Sequence, residues 1–494
     1  MSESYRPEPG KPSRPGNEAI DALYRGAEVM EKEHATIDEA FTEKPETRNT
    51  ASPEAIAEGF YYQTSSFPYL MDTGSGFIPL RRDSVLSHAV RRGLDPRKKD
   101  AFFCTVERNH YVEQSFRFLA GHLYGFYERD GVRFIVQASA PWVEGKEGDC
   151  STALAFLRGL LDDPAEPDQF PSLIAWMQGA RLRIRACLKR RTARTRVQHL
   201  VMAGEKDLGK TWLVKKLVAP LLATPEEGMF PGEKYFTKPG SEGFNGGMEH
   251  YPVILLDDTM KNVKEAERWN VMSRSKNILY AGAVSIEGKG KDAFPMALPW
   301  VVVQLLNTDL ESLTAFPMVG GDTDKICGFL AGRYHETPPN GTEDEKDAVD
   351  EALARELPAL AWFIDHYQVP EHLQEPTGRH RCRAYMNRTL ATAVLGISPE
   401  MQLLELIDQA ARCGTPEDAK QIYRKDATST GIYDRVRANL PADKMREFNL
   451  LARNAAKLGG KLSKLAEICP ERVQVRKEGG GRRNVYTIAH SVTG

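Results

Sequence analysis

The chain has 494 residues, which at the usual domain size corresponds to about three domains. Hydrophobic residues make up 41% and charged residues 27%, an ordinary globular composition that excludes a collagen-like chain, a wholly disordered chain and a coiled-coil rod. Lys and Arg number 66 against 68 Asp and Glu, a formal net charge of -2, so any affinity for a polyanion must come from a local surface.

The sequence carries no signal for a membrane span or for an oxidising compartment. No apolar run reaches the roughly 18 residues that a transmembrane helix needs. The first residues, MSESYRPEPGKPSRPG, lack the apolar core of a signal peptide. The seven cysteines are scattered without a CxxC pair, which disfavours a disulfide framework and a structural zinc site. We therefore expect a soluble, cytoplasmic protein with no membrane partner.

Composition and periodicity divide the chain into segments of different character. Residues 1–54 hold twelve acidic and seven basic residues and few large apolar ones, which predicts a disordered acidic tail. Short strands near Phe60 follow, then a helix ending at Gly93, a hairpin turning at Asp130-Gly131 and a helical stretch from about Ser151 to Arg191. The later segments are an α+β and helical domain over 55–195, an α/β core over 196–336, a helical region over 346–430 and a last domain over 431–494.

A basic run closes the helical stretch. From Arg181 to Arg196 there are eight basic residues and no acidic one. Such a run is usually a solvated helix face, and that is our interpretation here. A contact to phosphates or to another subunit is the alternative.

The strongest motif is a glycine-rich loop between a strand and a helix. The apolar strand His199–Ala203 leads into GEKDLGKT, the spacing G-x-x-x-x-G-K-T in the context that a phosphate-binding loop requires. Glycine at both fixed positions allows backbone conformations and close approaches that a side chain would block. Loop N–H groups and the helix N-terminus then cradle phosphates, Lys210 reaches the β- and γ-phosphates, and the Thr211 hydroxyl completes a Mg²⁺ shell. The predicted nucleotide-binding residues are Gly204, Glu205, Lys206, Asp207, Leu208, Gly209, Lys210, Thr211 and Trp212.

Two later strands end in polar residues suited to the same site. The strand YPVILL leads into Asp257 and Asp258, of which the first would hold Mg²⁺ and the second would polarise the attacking water. The strand WVVVQLL leads into Asn307, which could bind the water or the γ-phosphate if the strand lies beside the previous one. An Asn that merely caps a turn is the alternative.

These three elements in this order resemble the superfamily 3 helicases, and more closely the helicase part of phage and plasmid primase-helicase proteins. The resemblance covers about residues 60–410. It implies an α/β, AAA+-like P-loop ATPase core, ATP and Mg²⁺ as cofactors, and a homo-hexameric ring around single-stranded DNA in a bacterial host cell. Because the N-terminal residues show no polymerase pattern of paired acids, any priming would need a separate primase partner.

The resemblance also implies further site residues. Between the second and third strands the family carries a strand pair with a basic tip, and here AGAVSIEGKGKDAFPMALP places Lys289 and Lys291 there as pore contacts to DNA. A solvated turn is the alternative. Relatives often have an Arg after the Pro that begins the third strand, whereas this chain has Trp300. We therefore choose Arg333 for the Arg that acts on a neighbour's ATP, ahead of Arg268 and Arg274.

The last domain is locally basic. Residues 441–494 hold 11 basic and 5 acidic residues, in the predicted order helix over 445–458, helix, strand, Gly-Gly-Gly, strand. This order looks like a winged helix, in which Lys477, Arg482 and Arg483 would meet phosphates and the second helix could enter a major groove of duplex DNA. Winged helices that serve as protein contacts are the alternative.

The leading interpretation is an ATP-driven DNA helicase of a phage or other mobile element that acts in replication. An ATP-dependent DNA-binding initiator or loader, which remodels DNA or protein without processive unwinding, would carry the same motor residues. A non-enzymatic ring is disfavoured by the intact Lys210, Thr211 and Asp257, and an RNA-directed helicase by the winged-helix-like last domain.

Overall fold

The computed structural model of the chain divides into two compact units. The first holds residues up to 71 together with 79–111, and the second holds 72–78 together with 112–494. The residues that the structure describes are 52–64, 68–129, 131–189, 195–224, 228–237, 245–257, 263–281, 283–286, 294–297, 299–317, 323–338, 341–478 and 483–489. Of the predicted acidic tail, residues 1–51 lie outside this part.

The first unit combines short strands with helices around an aromatic core. Its elements are α1 (Pro53–Ala57), β1 (Phe60–Tyr62), β2 (Tyr69–Asp72), β3 (Phe77–Leu80), α2 (Arg82–Arg91) and α3 (Lys99–Asn109), and the division into units falls within β2 and within β3. The buried rings of Phe60 and Phe102 meet edge to face with centroids 5.6 Å apart. The predicted helix stop is confirmed, because α2 ends at Arg91 and Gly93 takes a left-handed φ of 101°.

The second unit begins with a small sheet and two helices. These elements are β4 (Gln114–Phe116), β5 (Gly125–Arg129), β6 (Val132–Val136), α4 (Ser151–Leu161) and α5 (Gln169–Leu188). The predicted hairpin is confirmed, since β5 and β6 pair antiparallel with Arg129 opposite Val132. The helical stretch is two helices, with Pro164 and Pro167 in the segment between them.

A parallel sheet forms the centre of the second unit, as the alternation of strands and helices predicts. The strands of this region are β7 (His199–Gly204), β8 (Phe230–Pro231), β9 (Val253–Leu256), β10 (Ala283–Ile286), β11 (Phe294–Ala297), β12 (Val301–Leu306) and β13 (Ile326–Ala331). Within the described residues five of them form one sheet in the order β13-β7-β12-β9-β8, and every pairing is parallel. The protein is therefore a mixed α/β protein built on a parallel sheet.

The two faces of this sheet belong to different hydrophobic cores. Leu200 and Met202 pack into one cluster with α4 and α5, whereas Val201 and Ala203 pack into a second cluster on the opposite face. Because both faces are covered, the central strands are mostly apolar and appear in the sequence as nearly continuous apolar runs, with His199 of β7 and Gln304 of β12 as buried polar exceptions. The helices that connect the strands are α6 (Lys210–Leu213), α7 (Ala219–Leu221), α8 (Glu233–Thr237), α9 (Glu265–Tyr280) and α10 (Leu310–Leu313).

The basic run is not a solvated face throughout, which corrects that interpretation. Arg181 and Arg183 are 0% and 1% exposed. The Arg181 guanidinium pairs with both carboxylate oxygens of Asp365 at 3.0 Å and donates to the carbonyl of Leu221 at 2.7 Å. These arginines face the interior because α5 is buried nearly all round, and the cations find acceptors there.

The rest of the chain is mostly helical and ends in a small sheet. Its elements are α11 (Glu343–His366), α12 (Arg388–Gly396), α13 (Pro399–Cys413), α14 (Pro416–Ile422), β14 (Ala427–Thr428), α15 (Ser429–Asn439), α16 (Ala442–Leu451), α17 (Ala455–Ile468), β15 (Val473–Glu478) and β16 (Arg483–Ile488). A third core cluster runs from Leu403 to Ile488. No single helix of the described residues is long and apolar enough to cross a membrane. Within these residues, one pair of helices, α12 and α13, meets the criteria of length and apolar composition when the two are taken together, and this pair is bent by 63°.

The single helix predicted over 445–458 is wrong. The chain forms α16, which ends at Leu451, and α17, which begins at Ala455. Asn454 separates them because its side-chain oxygen accepts a hydrogen bond from the Lys457 N–H at 2.9 Å and so caps the second helix.

Candidate active site

The predicted site residues follow neighbouring strands at one edge of the parallel sheet. Strand β7, which leads into the glycine-rich loop, lies between β13 and β12, and β12 in turn pairs with β9. The expected adjacency of the second and third strands is thus confirmed. Because parallel strands end on the same side, the loop, Asn307, Asp257 and Arg333 all follow carboxyl ends of strands in this sheet.

The loop depends on glycine at its two fixed positions. A Cβ added to Gly204 would lie 2.9 Å from both the Cβ and the carbonyl oxygen of Ala331 on β13, closer than packed atoms come. Gly209 takes a left-handed φ of 88° and its carbonyl accepts the Leu213 N–H at 2.8 Å, which begins the helix. The sequence therefore forms the strand, loop and helix that its spacing predicts.

Lys210 is buried at the start of this helix, with its side chain turned back over the loop. Its ammonium group donates to the carbonyl oxygens of Gly204 at 2.8 Å and of Glu205 at 2.6 Å. A third contact of 3.4 Å reaches the side-chain oxygen of Asn307. The structure thus joins two of the predicted site residues, which come from adjacent strands.

Asp257 follows β9 and is held by a residue that the sequence did not single out. The Asp257 N–H donates to the carboxylate of Glu233 at 2.9 Å. Glu233 lies in the first turn of α8, where an acidic residue is common because it complements the helix dipole. That signal is too general to mark a site, although the contact brings a second carboxylate to the end of β9.

The three candidate arginines have different surroundings. Arg333 follows β13 and is exposed. Arg268 is buried and donates to the carbonyl of Phe316 at 3.0 Å, and the Arg274 guanidinium lies 4.6 Å from the ring centre of Tyr235. Of these three, Arg333 has the exposure that a contact to a neighbouring subunit requires.

The remaining predicted residues are partly outside the described part of the chain. Asp258, Lys289, Lys291 and Arg482 fall there. The strand pair that should carry the two lysines is present, because β10 and β11 pair antiparallel with Ile286 opposite Phe294.

On the C-terminal hairpin, Lys477 and Arg483 are exposed and sit opposite Asn484 and Glu478. On α17, the second helix of that domain, two of the lysines contact other parts of the protein. Lys461 and Lys464 lie 3.2 Å and 3.7 Å from the buried carboxylate of Glu400, and the Lys464 ammonium lies 5.9 Å from the ring centre of Trp269. This face of α17 is therefore occupied by contacts within the protein, whereas Lys477 and Arg483 on the hairpin are exposed.

A buried histidine supports the strand that leads into the loop. His199 begins β7, and its Nδ1 lies 3.1 Å from the hydroxyl of Ser275. Burial lowers the pKa of His199 to about 3, so the ring is neutral at physiological pH.

Comparison with known proteins gives a likeness of fold. No family model and no curated protein matches the sequence. Among solved structures, the apo structure of the NrS-1 C-terminal region is similar with a TM-score of 0.50 and 9% sequence identity, over 90% of this chain and 100% of that chain. Two A-form apo structures of the same region each give a TM-score of 0.48, at 10% and 8% identity, over 88% and 89% of this chain and 98% and 100% of those chains. At such low identity the likeness is one of fold alone.

Proposed function

We propose that the chain is an ATP-driven DNA helicase of a phage or other mobile element, acting in DNA replication as a homo-hexameric ring that moves along single-stranded DNA. One observation carries the proposal. The lysine of a G-x-x-x-x-G-K-T loop lies 3.4 Å from Asn307, which ends the neighbouring strand of a parallel sheet. The order of motifs along the sequence, which resembles superfamily 3 helicases, supplies the reaction.

The loop fits the triphosphate of a nucleotide. Its left-handed Gly209 immediately precedes a helix N-terminus, where backbone N–H groups and the helix dipole favour an anion. Lys210 is held over the loop by the carbonyls of Gly204 and Glu205. Its ammonium group would exchange these acceptors for phosphate oxygens when ATP binds.

The oxygen groups at the same sheet edge fit Mg²⁺. This ion takes oxygen ligands and is usually bound by one or two protein groups together with phosphates and water. Thr211 offers a hydroxyl in the first turn of α6, and Asp257 offers a carboxylate after β9, with its backbone fixed by Glu233. A bound Mg²⁺ would neutralise charge that develops on the phosphates.

The protein groups would divide the remaining work of hydrolysis. Lys210 would stabilise negative charge on the γ-phosphate, and Asp258 with Asn307 would orient the attacking water. Arg333, which is exposed, would contribute from the neighbouring subunit. Each hydrolysis event would shift Lys289 and Lys291 along the single strand.

The basic hairpin supports a second candidate function. The C-terminal elements have their own hydrophobic core and expose Lys477 and Arg483 on β15 and β16, and the sequence places a further basic residue, Arg482, between these strands. Such a hairpin suits contacts to duplex phosphates. An ATP-dependent initiator or loader would use these contacts to remodel DNA without processive unwinding, and a separate primase would act beside either protein.

A strand-displacement assay on forked DNA tests the proposal. The wild-type protein should release the labelled strand in the presence of ATP and Mg²⁺, and Lys210→Ala should not. Lys215→Ala is the matched control, because this lysine is exposed on the same helical segment and should retain full activity. ATP hydrolysis on bound DNA without strand release would favour the loader. A wild-type protein that neither hydrolyses ATP nor binds DNA would contradict both functions.

A further inference from the structure

The carboxylate of Asp350 on α11 contacts two residues of the helical segment that follows the glycine-rich loop. One of its carboxylate oxygens accepts a hydrogen bond from the indole N–H of Trp212 at 2.8 Å. The other oxygen forms an ion pair with the ammonium group of Lys216. A single carboxylate thus contacts Trp212 and Lys216, which are one helical turn apart and follow Lys210 and Thr211 in the chain.

The helical segment that Asp350 contacts is not a regular α-helix. After α6 the chain makes a π-helical turn over Val214–Val218, in which the Ala219 N–H donates to the carbonyl of Val214 five residues earlier. Pro220 explains the wide turn, because proline has no N–H and its ring would clash with the carbonyl four residues before it in an α-helix. Lys216, one of the two residues that Asp350 contacts, therefore lies in a widened turn.

Aromatic packing holds the same turn from a second side. The ring of Phe156 on α4 meets the Trp212 indole edge to face with centroids 4.6 Å apart. The same Phe156 ring lies 3.3 Å from the position that a Cβ on Gly209 would take. Helices α4 and α11 are joined to each other as well, because the buried Glu356 carboxylate accepts the Ala153 N–H at 3.0 Å. The loop is thus supported by two helices that are tied together.

We propose that Asp350 is a positioning residue for the glycine-rich loop. It acts through Trp212 and Lys216 to fix the direction of the helical turn that begins at Lys210. This inference rests on the proposed ATP-binding role of the loop. The Trp212 indole contacts Asp350 and Phe156, so this side chain supports the loop. The turn that carries Lys210 and Thr211 then presents its N–H groups in one orientation before a nucleotide arrives.

The inference predicts a particular kinetic pattern. Loop N–H groups contact phosphates in the ground state and in the transition state alike, so their misalignment weakens both to a similar extent. Such a loss of uniform binding raises KM and leaves kcat nearly unchanged. Asp350→Ala should therefore raise the KM for ATP about tenfold, the size expected for one charge-assisted hydrogen bond.

The experiment compares four variants at a temperature well below unfolding. Asp350→Asn keeps an acceptor for the indole but loses the charge that pairs with Lys216, so its KM should lie between those of wild type and Asp350→Ala. Trp212→Phe keeps a ring against Phe156 and removes only the N–H donor, so it should raise KM without loss of the fold. Glu351→Ala is the matched control, because Glu351 is exposed on the same helix and should behave as wild type.

The outcomes separate this inference from the proposed function. If wild type shows ATP turnover and both Asp350→Ala and Trp212→Phe keep its KM, the positioning role is wrong while the ATPase stands. An equal rise of KM in Glu351→Ala, or a fall of kcat at constant KM in Asp350→Ala, would also overturn it. If wild type itself neither binds nor hydrolyses ATP, the proposed function fails and the positioning role fails with it.

Discussion

The side-chain oxygen of Asn307 accepts a hydrogen bond of 3.4 Å from the Lys210 ammonium group, although the two residues are 97 positions apart in the chain. The contact exists because β7 and β12 pair in parallel, with Leu306 opposite Ala203, so both residues lie just beyond the same sheet edge. Asn307, proposed to orient the attacking water, therefore lies beside Lys210, proposed to bind the phosphates.

Asn307→Ala should impair turnover more than nucleotide binding. Lys210 keeps its contacts to the carbonyls of Gly204 and Glu205, so the loop stays organised in the variant. The variant lacks the side chain that we propose orients the attacking water, so the hydrolysis rate should fall about 100-fold, as for removal of one preorganised polar group in a catalytic site. Steady-state kinetics check this, and a variant with wild-type kcat would show that Asn307 only ends its strand.

Arg181→Ala should destabilise the fold strongly. The substitution leaves Asp365 with one of its two arginine partners, Arg185, although its side chain is only 8% exposed. Removing one partner from a buried ion pair costs about 3 kcal/mol or more in the free energy of unfolding. Lys189→Ala, directly after the end of the same helix, is the control, because Lys189 is exposed and its loss should change stability by about 0.5 kcal/mol at most. Equal denaturation midpoints for the two variants would contradict the buried role.

Because His199 is buried, the free energy of unfolding should decrease in mild acid. Burial lowers the pKa of His199 from 6.5 to about 3, so below pH 6.5 the unfolded chain binds a proton that the folded chain does not. The free energy of unfolding should therefore decrease with falling pH, by about 1.4 kcal/mol per unit from this residue.

Denaturation at pH 7.5 and 5.5 checks the prediction against His199→Asn. Between these values the wild type should lose about 1.4 kcal/mol more than the variant does. His380, whose pKa is lowered by burial and by nearby Arg379, contributes equally to both proteins and cancels in the comparison. A variant with the same pH dependence as wild type would contradict the buried, neutral state of His199.

The C-terminal hairpin should account for part of the salt dependence of DNA binding. Lys477 and Arg483 are exposed, and each phosphate contact contributes about 0.9 to the slope of log affinity against log salt concentration. Replacing both by Ala should therefore lower the slope for a labelled duplex by about 2. Lys464→Ala is the control, because its ammonium group is engaged by Glu400 and Trp269. An unchanged slope in the double variant would show that Lys477 and Arg483 do not contact the DNA phosphates.

Local patterns of the sequence predict the centre of the fold and the elements of the site. The glycine-rich loop and the apolar strands before Asp257 and Asn307 each have a short-range signal of period, glycine spacing or length, whereas the strand pair β10–β11 was expected from the family resemblance. The parallel pairing follows from the alternation of strands and helices. These features depend on neighbouring residues, so the sequence alone suffices for them.

The features that escaped prediction depend on contacts between distant parts of the chain. Arg181 is buried because Asp365, 184 positions away, reaches it. Glu233 touches Asp257 only because β8 joins the sheet beside β9. The break between α16 and α17 was missed for a different reason, since the helical period continues across Asn454 and its cap competes locally with the helix.

The most direct test is ATP hydrolysis with and without single-stranded DNA, measured for wild type and for Lys210→Ala in the presence of Mg²⁺. We predict that single-stranded DNA stimulates turnover by the wild type and that Lys210→Ala removes turnover under both conditions. Hydrolysis undiminished in Lys210→Ala, or a wild-type protein inactive in the presence of both Mg²⁺ and DNA, would contradict the account of this site.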